Sequence, residues 1–71
     1  MKTTNLRVLR ENAGFSQSHL SDSSGVNIQM IQKYEQRVKD INKAHGMTLY
    51  KIACALNCRM EDLLETEEAE E

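Results

Sequence analysis

Residues 16–35 read SQSHLSDSSGVNIQMIQKYE, and Gly25 between their two apolar-spaced halves decides the fold. Ser16 is a good helix N-cap, because its hydroxyl can accept an orphan backbone N–H. Phe15 before that cap and Leu20 just inside resemble a hydrophobic staple. A short helix over about 17–23 follows. Ser23-Ser24-Gly25 breaks it, since glycine reaches positive φ at little steric cost and lets the chain turn sharply. After Val26, Asn27 serves as the next cap. Ile28, Ile31 and Tyr34 give one possible apolar face of a second helix over 27–35.

Upstream, Leu6, Leu9 and Ala13 have helical spacing, with Thr4 or Asn5 as the cap and Ala13-Gly14 as the stop. Downstream, residues 36–41 (QRVKDI) form a polar connection with Val38 and Ile41 as apolar anchors. Asn42 is the expected cap of a fourth helix carrying Leu49, Ile52, Ala53 and Leu56. Gly46 inside that helix costs about 1 kcal/mol against alanine, which leaves its start open. A last short helix over about 60–65 brings Met60, Leu63 and Leu64. The spacing thus predicts an all-α domain over residues 1–65 with five short helices. They cross steeply around Leu6, Leu9, Leu20, Val26, Ile31, Tyr34, Leu49, Ile52, Leu56 and Leu63. Residues 66–71 (TEEAEE) are too acidic to pack and are expected to fray.

With 71 residues the chain makes one domain. Its two cysteines, Cys54 and Cys58, lack the spread of a disulfide framework. The N-terminal segment has no apolar run of a signal peptide, and no window approaches a membrane span. A soluble cytoplasmic protein with reduced thiols is expected. The net charge of −2 conceals an asymmetry. Residues 1–59 hold all nine Lys and Arg against four acids, Glu11, Asp22, Glu35 and Asp40, a net +5. The seven remaining acids lie in residues 60–71. A basic body suggests an anionic partner. Cys54, Cys58, His19 and His45 do not have the ligand spacing of a closed zinc site, so no metal or other cofactor is expected. No acid, base and nucleophile are spaced as a catalytic set, and no phosphate-binding glycine loop is present, so the chain is not read as an enzyme.

Two short helices joined by a glycine-bearing turn make a helix-turn-helix, a unit whose second helix can lie in the major groove of DNA. It needs a small residue at the helix crossing, a glycine at the turn and an apolar anchor on the second helix. Ser21, Gly25 and Ile31 meet those needs. The stretches LRVLRENAGFSQSHLS, GVNIQMIQKYE and TLYKIACALNCRMEDLL bring Arg10, Gln17, Leu20, Gly25, Ile31, Glu35 and Leu56 into one register. In that register residues 6–64 resemble the phage-repressor-like helix-turn-helix domains of the Cro/XRE family. The resemblance implies a five-helix fold, sequence-specific binding of double-stranded DNA, a regulatory role and a homodimer.

It also implies residue roles. Gln17 corresponds to a glutamine that reaches a DNA phosphate and braces the reading helix. Arg10 and Glu35 correspond to an ion pair joining the first helix to the end of the third. Asn27, Ile28, Gln29 and Lys33 are the outward, N-terminal positions of the reading helix. Gln29 can pair with adenine N6 and N7, and Lys33 can donate to guanine. Ile28 could press a thymine methyl, or it could be core with Met30 exposed; periodicity permits either. Gln32 on the flank, and Arg37, Lys39 and Lys43 beyond the helix, are candidate phosphate contacts. Three positions depart from the family pattern. Arg37 stands where glycine is usual, and arginine tolerates positive φ poorly. Ser21 and Ser24 replace alanine and an apolar residue, which points to looser packing of the second helix. Met60, Leu63 and Leu64 are the candidate dimer surface. The competing reading is a protein-interaction module, antitoxin-like or an adaptor, that keeps the fold with weak or no DNA binding. The operator, the regulated gene and the sign of regulation are not legible.

Overall fold

A computed structural model describes residues 3–65. These residues form four α-helices and two 3-10 turns, with no strand among them. The helices are α1 (Asn5–Asn12), α2 (Gln17–Ser24), α3 (Ile28–Glu35) and α4 (Gly46–Leu56). The 3-10 turns are Ile41–Lys43 and Met60–Leu63.

The first three helices start where short polar side chains can bind orphan amides. Arg7 N donates to Thr4 Oγ1 at 3.2 Å, His19 N to Ser16 Oγ at 3.0 Å, and Gln29 N to Asn27 Oδ1 at 2.7 Å. Thr4, rather than Asn5, therefore caps α1. α2 ends on Gly25 at φ 77°, in the left-handed region. α2 packs against α3 and α4, and α1 against α3 and the last 3-10 turn. Leu6, Leu20, Ile31, Ile52 and Leu63 are fully enclosed at the centre. Each such side chain contributes about 1.5–3 kcal/mol by leaving water.

The second half departs from the sequence reading in several places. The fourth helix begins at Gly46, not Asn42. Asn42 lies inside a 3-10 turn whose own cap is Asp40, with Asn42 N donating to Asp40 Oδ1 at 2.9 Å. Its side chain cannot cap α4 because it is engaged elsewhere, by Glu65. The expected fifth helix is a 3-10 turn; Leu64 beyond it is extended, with φ −76° and ψ 147°. The five-helix count thus becomes four α-helices and two 3-10 turns among the described residues, in the same all-α class. Ile41 is a buried anchor, whereas Val38 is 67% exposed and anchors nothing. Leu9 packs against the core only partly buried. Leu63 is completely buried, and Met60 and Leu64 pack partly buried against the chain's own core. The candidate dimer surface is therefore largely covered from within. The expected acidic tail, residues 66–71, lies outside the described residues.

Candidate nucleic-acid interface

The turn between α2 and α3 is built by side-chain hydroxyls. Ser21 Oγ donates to Val26 O at 2.6 Å, and Val26 N donates to Ser24 Oγ at 3.1 Å. Ser21 and Ser24, which pointed to looser packing, thus satisfy backbone groups of the turn itself. Val26 and Leu20 close the space beneath it. The angle between the two helices is consequently set by directed bonds as well as by packing.

α3 has two distinct sides. Ile31 and Tyr34 are buried, and Met30 packs against the core. Asn27, Gln29 and Lys33 are exposed, and Ile28 is half-buried. Residues 29 and 33 lie one turn apart on one face. Of the two arrangements that periodicity left open, the chain adopts the one with Met30 turned to the core. Asn27 uses its Oδ1 for the cap, which leaves its amide N–H groups available at the front of the helix.

Behind α3 lies a connected polar group. Arg10 Nε is 2.6 Å from Glu35 Oε2, Arg10 Nη2 donates to Glu35 Oε1 at 3.1 Å, and Arg10 Nη1 donates to Phe15 O at 2.7 Å. The side chains of Arg10 and Glu35 are only 10% and 4% exposed. A bidentate pair this enclosed fixes geometry more surely than it adds stability. Gln17 Nε2 donates to Glu35 Oε1 at 3.0 Å, and Gln32 Nε2 donates to Gln17 Oε1 at 3.4 Å. Gln17 therefore braces α3 through Glu35 and retains one Nε2 hydrogen, since an amide has two to give. Nothing local in the sequence announces this relay, because its bonded side-chain pairs lie 15 to 25 positions apart.

The segment after α3 carries the other cations. Arg37 takes φ 62°, the conformation a glycine would adopt there. Val38 N and Lys39 N then both reach Lys33 O, at 2.9 and 3.2 Å, and close the end of α3. Lys39 and Lys43 are exposed, and Arg37 Nη2 lies 3.5 Å from Glu65 Oε1. Asn42 and Glu65, which the sequence reading did not assign to the site, hold this segment. Among the described residues no three His, Cys, Asp or Glu side chains gather where they could hold a metal. His19 stacks on Phe15 with ring centroids 4.1 Å apart, His45 precedes α4, Cys54 is exposed, and burial, with a smaller contribution from Asp62, pushes the Cys58 thiol up. Among the described residues no helix is long and apolar enough to cross a membrane.

A glycine turn, a braced second helix and an outward polar face together define a helix-turn-helix domain. The profile of the helix-turn-helix family of the Cro/C1 (XRE) type matches residues 6–63, and the chain belongs to that family of DNA-binding transcription regulators. It is a family of regulatory domains, not typically of enzymes. No curated protein matches the chain.

Proposed function

We propose that the protein is a cytoplasmic, sequence-specific regulator of repressor type. In this reading Asn27, Ile28, Gln29 and Lys33 meet base edges in the major groove. Gln17, Gln32, Arg37, Lys39 and Lys43 hold phosphates, and Arg10 and Glu35 keep α3 in place. The single observation that carries it is the exposed row of Asn27, Gln29 and Lys33 on a helix whose opposite side is fastened to the core. A major groove about 12 Å wide admits such a helix. Binding as a homodimer would place half-sites about 34 Å apart.

Selection of bound duplexes from a random pool, followed by sequencing, tests this reading. A recovered site should bind the chain with affinity that falls steeply as salt rises. Replacing Gln29 with alanine should cost about 1–3 kcal/mol of discrimination at one base pair and leave the other positions unchanged. Equal affinity for the selected and a scrambled duplex would reject specific readout. It would leave standing the protein-interaction reading, which the exposure of Met47 and Tyr50 one turn apart on α4 supports.

A further inference from the structure

We infer that Asn42 and Glu65 act together as a tether that positions the phosphate-holding segment 37–43. The inference rests on the DNA-binding reading above and assigns two further residues to it.

Asn42 Nδ2 donates to Glu65 O at 2.6 Å, and Glu65 N donates to Asn42 Oδ1 at 2.8 Å. One amide side chain thus satisfies both backbone groups of a residue 23 positions away. Glu65 is itself fastened to the start of α1. Its Oε2 accepts from Asn5 N at 2.6 Å, and Asn5 Nδ2 donates to Leu64 O at 2.7 Å. The Asn5 amide is one of the orphan donors of a helix N-terminus, where a carboxylate is also favoured electrostatically. Glu65 Oε1 lies 3.5 Å from Arg37 Nη2.

The geometry gives these contacts unequal weight. Arg37 and Glu65 have side chains 38% and 21% exposed, and a pair this long and this wet contributes little. The four shorter bonds run between the extended end of the described chain, α1 and the 3-10 turn. Two of them reach the segment, at Asn42, and the other two fasten Leu64 and Glu65 to Asn5; none engages the cations themselves. Arg37 sits at φ 62°, a left-handed conformation that a non-glycine residue disfavours. The bonds from Val38 N and Lys39 N to Lys33 O hold only the near end of the segment. The tether holds the segment at Asn42, one residue short of Lys43, and ties it to the same α1 that carries Arg10. Helix brace and phosphate segment consequently share one frame.

Two variants test the tether from its two sides. Asn42→Ala removes the amide. Glu65→Pro removes the N–H and the carboxylate at a position preceded by an extended residue, which proline accepts. Both act on solvent-exposed bonds, so water can replace the lost partners and the fold survives. Each should speed amide hydrogen exchange in 37–43. Each should also weaken binding to the selected duplex about fivefold, with the salt slope shallower by about 1 and base preference intact. In the Asn42→Ala background, Lys39→Ala should cost less affinity than in the unmodified chain, as coupled positions do. Glu65→Gln, which keeps an oxygen for Asn5 N and discards the charge, should bind no more weakly than the parent. Wild-type affinity and slope in both tether variants would overturn the inference. So would an affinity loss with unchanged exchange in 37–43, or full additivity with Lys39→Ala. Absence of any salt-dependent duplex binding by the unmodified chain would instead defeat the functional reading, and the inference with it.

Discussion

Glu35 accepts from Arg10 twice and from Gln17 once, with its side chain only 4% exposed. Removing it leaves the enclosed Arg10 with only the Phe15 carbonyl and a 3.8 Å contact to the half-exposed Glu11. Glu35→Ala should therefore cost about 3–5 kcal/mol, a large share of the stability of a domain this size, about 4–10 kcal/mol. Urea denaturation measures this directly. Replacing Arg10 and Glu35 together by Met and Leu should cost far less, because no uncompensated charge remains. Gly25 offers a contrasting case. A Cβ built there meets no atom within 4 Å, so the glycine is required by its φ of 77° and not by crowding. Gly25→Ala should cost about 1–2 kcal/mol, the expense of left-handed backbone alone. In thermal melts that is a drop of about 4–8 °C for each kcal/mol. A larger loss would mean that the turn rearranges.

At the scale of elements, α2 is the weakest by composition. Its eight residues, QSHLSDSS, contain one buried side chain, Leu20, and four serines, a residue type that favours caps and turns over helix interiors. Its start consequently depends on the Ser16 cap, and Ser16→Ala should lower stability by about 1 kcal/mol. Circular dichroism of melts follows the loss, and amide exchange should rise at His19, whose N–H the Ser16 hydroxyl binds. The same local chemistry explains which elements could be read from the sequence. Thr4, Ser16, Asn27 and Gly25 each act on neighbours within a few positions, so α1, α2 and α3 were legible. Asn42 has the same cap-forming chemistry, yet its partner is Glu65, 23 residues on. Local pattern cannot separate a cap from a tether when the competing partner is brought by the tertiary fold. Arg37 was misleading in the other direction, since a non-glycine residue occupies a left-handed position that its type disfavours. The Arg10–Glu35 pairing and the bracing role of Gln17 became legible only through family resemblance; the route of that brace through Glu35 and Gln32 was not legible.

For the whole molecule, alkaline pH probes the closed state of the core. Burial pushes up the Tyr34 hydroxyl, and burial followed by Asp62 pushes up the Cys58 thiol. A raised value means that the folded chain holds these protons more tightly than the unfolded chain does. Their contribution is therefore fully present below the ordinary thiol range and is lost as pH rises through the folded values. Melting temperature should be level near neutrality and fall above about pH 9, and Cys58→Ala should make that fall shallower.

The division of α3 into an anchored side and an outward side also bears on descent. Ile31 and Tyr34 are committed to the interior, whereas the side chains of Gln29 and Lys33 are exposed and only their backbones take part in capping and closing the helix. Duplicated copies could exchange the latter freely and acquire new targets without passing through an unfolded ancestor. Divergence in such a lineage would accumulate at positions 29 and 33 while 31 and 34 stayed apolar or aromatic.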